Sequence, residues 1–223
     1  MTFRHLTALP ALALLGATAA HGAHSADASY QDAASFLAAA GGTTVEGFET
    51  TPARLRSLDA LVTPLLTIAT TAAPIGVQTG PDAPAAGYGA AAVDGSHYVS
   101  VYLPDLPQGT IRFDLARPST AFGLYLTDVG ETDGQILLRT NAGAFSSDLV
   151  VGTHPPLLPN GNLRFVGLTQ AQPFTQVFLT VQGLDEAYGL DAVHVSAVPE
   201  PMSATLFGLG LAGLAAMTAR RRR

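Results

Sequence analysis

Apolar and polar residues alternate in short segments through the second half of the chain. Each segment spans four to seven residues and carries β-branched or aromatic side chains: 98–103, 109–115, 121–127, 135–140, 163–166, 176–181 and 190–196. Gly, Pro, Asp and Asn separate the segments, as expected for strands joined by turns. None of the gaps offers the helix that a βαβ unit would need. The pattern predicts an all-β fold, an antiparallel β-sandwich.

A helix is predicted before these strands. Residues 29–32 (Ser-Tyr-Gln-Asp) resemble a capping box, residues 33–40 are rich in alanine, and Gly41-Gly42 would end the helix. Residues 43–49 then alternate as a strand does. The sequence therefore predicts one short N-terminal helix that leads into the sandwich.

The region between residues 52 and 94 is less regular. Leucines up to Leu61 have helical spacing, but Pro64 would break a helix there. We expect a short helix or loop to about Leu61 and a strand over 65–70. Residues 72–94 are rich in Gly, Pro and Ala, which predicts a long and partly irregular connection.

The N-terminal residues have the features of a secretory signal. Arg4 precedes an apolar run over residues 6–15, and Ala17-Thr18-Ala19 offers the small-x-small pattern of a cleavage site. Residues 1–22 are therefore predicted to be a signal peptide. The folded ectodomain is predicted to span residues 23–197, a length that suits one domain.

The C-terminal residues 198–223 combine three features. Pro199-Glu200-Pro201 is followed by an uncharged stretch over 202–219 and then by Arg220, Arg221, Arg222 and Arg223. As a helix, 202–219 would extend roughly 27 Å, close to the ~30 Å hydrocarbon core of a bilayer. The arginines would keep its end on the cytoplasmic side. A single transmembrane helix is predicted here.

This tail resembles the PEP-CTERM sorting signal of Gram-negative bacteria, in which Pro-Glu-Pro precedes a transmembrane helix and an arginine cluster. The resemblance implies that signal peptidase removes the N-terminal segment and that the inner membrane holds the precursor. It also implies that an exosortase cleaves at or near Pro199-Glu200-Pro201, which releases the domain to the cell surface or the extracellular space. Segments 110–128 and 188–201 are similar to the jelly-roll ectodomains that often carry such tails.

Charge and composition exclude several function classes. Residues 27–198 contain six arginines, no lysine and sixteen acidic residues, so the ectodomain is near −10. Such a surface argues against nucleic acid as a partner, because phosphates require Lys and Arg. The chain has no cysteine, which excludes disulfides and thiol chemistry. The acidic surface suits binding of divalent cations or neutral sugars.

Catalytic patterns are weak. His97, His154 and His194 lie on different segments without metal-ligand spacing, so surface histidines are favoured over a zinc site. Glycoside hydrolysis requires two carboxylates. Two pairs are candidates only because their members are close in sequence: Glu46/Glu49 and Glu131/Asp133. The chain has no Trp and only six Tyr to stack on sugars. We therefore expect no enzyme.

Two calcium sites are candidates. Asp128, Glu131 and Asp133 place oxygens at i, i+3 and i+5 beside glycines, which would suit either part of a Ca²⁺ shell or a solvated acidic turn. The resemblance to jelly-roll domains implies a second candidate, a Ca²⁺ that joins Glu49 to Asp191 between the first and last strands, as in some sugar-binding jelly rolls. No other cofactor is predicted.

Three functions remain for the ectodomain. A structural or adhesive role in an exopolysaccharide or biofilm setting comes first. The alternative is a carbohydrate-binding module with structural calcium, and a glycoside hydrolase ranks third.

Overall fold

The computed structural model describes residues 27–70, 75–80, 90–103, 108–129, 134–142, 149–154, 161–182 and 186–196. The predicted signal peptide, the predicted transmembrane segment and the predicted sorting residues 199–201 and 220–223 lie outside these ranges, as do Glu131 and Asp133. Within the described ranges, no helix has the length and apolar character to span a membrane.

The described residues form one short helix and twelve strands. In chain order these are β1 Ala28–Tyr30, α1 Ala33–Ala40, β2 Thr44–Glu46, β3 Arg54–Leu58, β4 Ala60–Val62, β5 Leu66–Thr70, β6 Ile75–Thr79, β7 His97–Leu103, β8 Gln108–Thr127, β9 Gly134–Thr140, β10 Leu149–His154, β11 Leu163–Gln182 and β12 Glu186–Val195. The strand pairs are antiparallel. The predicted all-β antiparallel class is confirmed.

Two strands of 20 residues organise the sheet, and both were predicted as separate pieces. Strand β8 runs through Pro118 and strand β11 runs through Pro173. The two strands pair along most of their length, with register shifts between Thr169 and Gln176. The prolines fall in this irregular stretch, where a missing backbone N–H costs no regular ladder bond.

The sheet folds over at this irregular stretch. The first half of β8 pairs with β5, and the second half pairs with β12. Phe113 and Phe122 lie on opposite sides of the bend, yet their ring centroids are 5.0 Å apart. Nine residues of straight strand would separate them by about 30 Å. The two halves therefore face each other across one apolar core, which includes Phe113, Phe122 and Leu190.

The sequence prediction missed several short strands. The short helix or loop expected before Leu61 is wrong, because β3 and β4 occupy that region. Strand β6 lies inside the predicted irregular connection, and β10 lies in the gap after β9. These strands are three to six residues long, and their pairing with β6, β5, β7 and β9 decides their conformation.

The helix α1 forms where it was predicted, with a different cap. Asp32 accepts hydrogen bonds from the backbone N–H of Ser35 at 2.8 Å and of Ala34 at 3.4 Å. Gly41 ends the helix in the left-handed region with φ 70°. Ser29 belongs to β1, so it does not cap the helix.

Phe36 attaches the helix to the sheet. Its side chain is fully buried beside Phe165, with ring centroids 5.3 Å apart. Gly123 and Gly167 face each other across β8 and β11. A Cβ at either position would lie within 3.2 Å of the Phe36 ring, so both glycines leave the space that the ring fills.

Candidate functional site

Two carboxylates, one on β12 and one just after β2, hold the segment 90–97, which leads into β7. Asp191, on β12, is fully buried. Its Oδ2 accepts hydrogen bonds from the backbone N–H of Val93 at 2.6 Å and of Asp94 at 2.9 Å. Its Oδ1 accepts from the N–H of Ala192 at 2.6 Å. Both oxygens of Asp191 are thus engaged by the backbone.

Glu49, just after β2, holds the other end of the same segment. Its Oε1 accepts from the backbone N–H of Ser96 at 2.7 Å and of His97 at 2.6 Å. Its Oε2 accepts from Ser96 Oγ at 3.0 Å and lies 3.2 Å from His97 Nδ1. Gly95 has φ +77° and passes so close that a Cβ there would lie 2.5 Å from the Glu49 carboxyl group.

A hydroxyl group holds the start of the same segment. Thr127 Oγ1 accepts from the N–H of Ala91 at 3.1 Å and donates to its carbonyl oxygen at 3.2 Å. Strand β12 pairs with β2, β7 and β8, which brings Asp191, Glu49 and Thr127 to one segment. We call these three residues the clamp.

The two clamp carboxylates differ in acidity. Burial raises the pKa of Asp191 to about 6, although three backbone N–H groups lower it and Asp94 adds a repulsion. The pKa of Glu49 is lowered to about 2, first by the hydrogen bond from the His97 backbone and then by that from Ser96. Glu49 is therefore ionised at neutral pH and holds no proton to donate.

Among the described residues, no group of three or more His, Asp and Glu side chains is arranged to hold a metal ion. The structure does bring Glu49 and Asp191 to the same segment, and their oxygens accept hydrogen bonds from it. Calcium between Glu49 and Asp191 stays a prediction, and the observed contacts give both carboxylates a structural role.

Asp128 lies in the turn after β8. It is buried, has φ 58°, and its Oδ1 accepts from the N–H of Gly161 at 2.7 Å. Its own N–H donates to the carbonyl of Asn162 at 2.8 Å. Asp128 thus links β8 to the start of β11. Calcium at Asp128, Glu131 and Asp133 stays a prediction, because the last two lie outside the described residues.

The predicted histidines are spread over three strands. His97 begins β7, His154 ends β10, and His194 lies on β12. His194 is buried, so placing it on the surface was wrong. Its Nδ1 lies 3.1 Å from Thr43 Oγ1, and its ring packs edge-on against Phe36 and Phe165. Burial lowers the pKa of His194, while Asp94 raises it.

A cavity of about 330 Å³ lies at the bend of β8. We call it the corner pocket. Its apolar wall comes from Pro64, Leu65 and Val195, and its polar wall comes from Thr44, Arg117 and Ser196. The described residues that line it include one cation and no carboxylate.

Local hydrogen bonds hold the walls of the corner pocket. Thr63 Oγ1 donates to the carbonyl of Leu66 at 3.1 Å and accepts from the N–H of Leu65 at 3.3 Å, which shapes the turn between β4 and β5. The N–H of Ala116 donates to the carbonyl of Leu65 at 3.0 Å, which ties this turn to the bend of β8. The pocket is therefore built on strands and a tight turn.

The polar groups of the corner pocket differ in their availability. Ser196 is buried, and its hydroxyl lies 3.2 Å from Ser119 Oγ and 3.3 Å from Thr120 Oγ1. Thr44 and Arg117 are exposed. No side chain in the described part of the chain pairs with the Arg117 guanidinium, whereas Arg112 is paired with Asp114 at 2.9 Å. Arg117 is thus an exposed cation on the pocket wall.

Sequence reasoning missed the corner pocket. Its residues come from β2, the turn before β5, the bend of β8 and the end of β12. No spacing along the chain connects Thr44, Arg117 and Ser196, and an exposed arginine beside a proline carries no recognisable motif. Only the pairing of β12 with β2 and β8 brings the three together.

No family model and no curated protein matches the chain. Among solved structures, the chain is similar to a family 29 carbohydrate-binding module from Piromyces equi. The two are 10% identical, the alignment covers 70% of this chain and 91% of that chain, and the TM-score is 0.40. It is also similar to a family 61 carbohydrate-binding module in complex with β-1,4-galactotriose, with 15% identity, 68% and 94% covered, and a TM-score of 0.39. The K1 adhesin domain of Lys-gingipain from Porphyromonas gingivalis W83 has 11% identity, 71% and 99% covered, and a TM-score of 0.39. These scores and identities are too low to support a shared activity.

Proposed function

We propose that the folded part of the chain is a non-catalytic glycan-binding domain, built as a jelly-roll-like β-sandwich. The corner pocket is the observation that carries this proposal. Its volume of about 330 Å³ lies at the lower end of small-molecule sites. It is bounded by hydrogen-bonded strands and turns, so little ordering is needed when a ligand binds.

The walls of the corner pocket match the chemistry of a sugar. Leu65 and Val195 offer an apolar surface to the C–H groups of a ring. Thr44 and Arg117 offer exposed hydrogen-bonding groups to ring hydroxyls. A purely structural or adhesive matrix role, which the sequence also predicts, requires no such pocket.

The Glu46/Glu49 pair does not support hydrolysis. A glycosidase needs one acid with a raised pKa beside the scissile bond. Glu46 Oε1 accepts the N–H of Phe48 at 2.9 Å, and the pKa of Glu49 is lowered to about 2. Glu49 therefore holds no proton to donate at neutral pH. The pair Glu131/Asp133 lies outside the described residues, so the hydrolase alternative rests on sequence alone.

Affinity electrophoresis of the full-length chain against soluble polysaccharides tests glycan binding. Ala116→Trp would fill the corner pocket, which Ala116 also lines. Ala38→Trp, on the exposed face of α1, is the matched control. We expect at least one polysaccharide to retard the wild type and Ala38→Trp, and to leave Ala116→Trp unretarded. Equal retardation of both variants would contradict the proposed site.

We also propose that the chain is exported and sorted as its tail indicates. The support is the sequence of residues 198–223, with Pro199-Glu200-Pro201 before an apolar stretch and four arginines. Mass spectrometry of protein recovered from the native cell surface should find both ends trimmed, with the C-terminus near residues 199–201. Recovery of a full-length cytosolic protein would contradict this, and normal processing of Glu200→Ala would reduce the motif to a spacer.

A further inference from the structure

We propose that the corner pocket selects acidic sugars, such as uronates, over their neutral counterparts. This inference rests on the proposed glycan binding and adds the chemical class of the ligand. Its basis is the charge of the pocket wall, where Arg117 is the one cation and no carboxylate accompanies it among the described lining residues.

The Arg117 guanidinium is available to a ligand. It is exposed, and no described side chain forms an ion pair or hydrogen bond with it. Arg112, four residues before the bend, is neutralised by Asp114 on the same strand at 2.9 Å. The pocket therefore places an uncompensated positive charge on a domain whose net charge is near −10.

A bound sugar would change the surroundings of that charge. A neutral sugar displaces water from the guanidinium and replaces it with hydrogen bonds to neutral groups. Part of the hydration free energy of the guanidinium is then lost without compensation. A carboxylate accepts two parallel N–H groups from a guanidinium, a charge-assisted pair that is stronger than neutral hydrogen bonds. The difference between these two outcomes is the source of selectivity.

The remaining walls suit a sugar that carries one acidic group. Leu65 and Val195 contact the ring, while Thr44 offers a hydroxyl on the far strand. The Ser196 hydroxyl is held by Ser119 and Thr120, so it helps to shape the wall. The acidic surface elsewhere disfavours long polyanions at a distance, but that repulsion is screened beyond about 8–10 Å at physiological ionic strength.

Polygalacturonate and its highly methyl-esterified form provide matched ligands, because they share a backbone and differ in charge. Affinity electrophoresis of the full-length chain, in a mild non-ionic detergent, would compare both ligands. Arg117→Ala removes the cation of the pocket. Arg164→Ala is the matched control, because it also removes one arginine. Arg164 lies on β11 opposite Leu126, near the other end of β8 and away from the pocket.

We expect polygalacturonate to bind the wild type at least about tenfold more tightly than the ester, as a charge-assisted pair would provide. Arg117→Ala should lose this preference, and Arg164→Ala should keep it. Equal binding of both ligands, or a preference that survives Arg117→Ala, would overturn the acidic selectivity and leave glycan binding standing. Absence of binding to either ligand and to every neutral polysaccharide would overturn the proposed function as well.

Discussion

Phe113 and Phe122 lie nine positions apart on the same strand, and their rings pack at 5.0 Å with an interplanar angle of 55°. The contact exists because β8 turns within residues 114–121, where its register with β11 shifts, and folds the sheet over its own core. Both rings are fully buried. The same bend forms one wall of the corner pocket, so the contact that closes the core also positions the proposed binding site.

A double-mutant cycle tests this contact. Phe113→Leu and Phe122→Leu should each destabilise the protein, and the pair should show a coupling energy of about 0.5–1.5 kcal/mol. Urea unfolding of the wild type, both single variants and the double variant gives this value. Phe113→Leu with Phe36→Leu is the control, since Phe36 belongs to a separate cluster, and we expect additivity within about 0.5 kcal/mol. Additivity in the first pair would contradict the fold-over.

The clamp at Glu49 can be tested with two glycines of similar backbone conformation. Gly80 has φ +70° with open space around a Cβ, so Gly80→Ala should cost only backbone strain, about 1–2 kcal/mol. Gly95 has φ +77°, but a Cβ there would lie 2.5 Å from the Glu49 carboxyl group. Gly95→Ala should therefore destabilise the protein more than Gly80→Ala does, because the Glu49 carboxyl group must move and its hydrogen bonds from Ser96 and His97 are disrupted. Equal losses in urea unfolding would exclude the clamp.

Asp191 gives the protein a pH-dependent stability. Its pKa rises from 3.8 to about 6 on folding, so the folded state holds a proton that the unfolded state has lost between these values. The contribution of Asp191 is thus fully present below pH 3.8 and is lost as the pH rises through about 6. Asp191→Asn cannot titrate. The stability of Asp191→Asn minus that of the wild type should increase from pH 4 to 6 and then level off.

Glu49 acts in the opposite direction, which is why the difference between Asp191→Asn and wild type is measured. The pKa of Glu49 is lowered from 4.5 to about 2, so its contribution is present above pH 4.5 and lost as the pH falls toward 2. It is common to both proteins and cancels in the difference. A difference that is flat from pH 4 to 6 would show that Asp191 is not buried as a carboxylate.

The attachment of α1 depends on two glycines that face each other. A Cβ at Gly123 would lie 2.7 Å from the Phe165 ring and 3.1 Å from the Phe36 ring. Phe36→Ala should cost about 3–5 kcal/mol, as truncation of a buried aromatic ring does. Gly123→Ala should also destabilise, but less when Phe36→Ala has already vacated the slot. Urea unfolding of the double variant should therefore show a smaller loss than the sum, and strict additivity would contradict the shared slot.

The regular strands could be predicted because local alternation and burial agree in them. The segment 98–103 is rich in β-branched and aromatic residues, which predicts a strand. In the structure its Tyr98, Val99 and Val101 are fully buried. The continuity of β8 and β11 could not be predicted. Pro118 and Pro173 normally end strands, and only the register shift between the two strands accommodates them.

The short strands and the corner pocket could not be predicted from the sequence for another reason. Strand β4 contains Val62, which is 73% exposed, so its pattern carries little burial signal and its pairing with β5 decides its conformation. Thr44 and Arg117 meet only because distant strands pair. Glu49 and Asp191 were predicted as a calcium pair by their likeness to sugar-binding jelly rolls. The structure shows both carboxylates bonded to one segment, and calcium between them stays a prediction.

Calorimetric titration of the full-length chain with a short galacturonate oligosaccharide tests the account most directly. Arg117 and Ala116 both line the pocket, so Arg117→Ala and Ala116→Trp are the informative variants, with Ala38→Trp as the control. The account predicts one site per chain in the wild type and in Ala38→Trp, binding at least about tenfold weaker in Arg117→Ala, and no measurable heat in Ala116→Trp. Unchanged binding in Arg117→Ala and Ala116→Trp would contradict it.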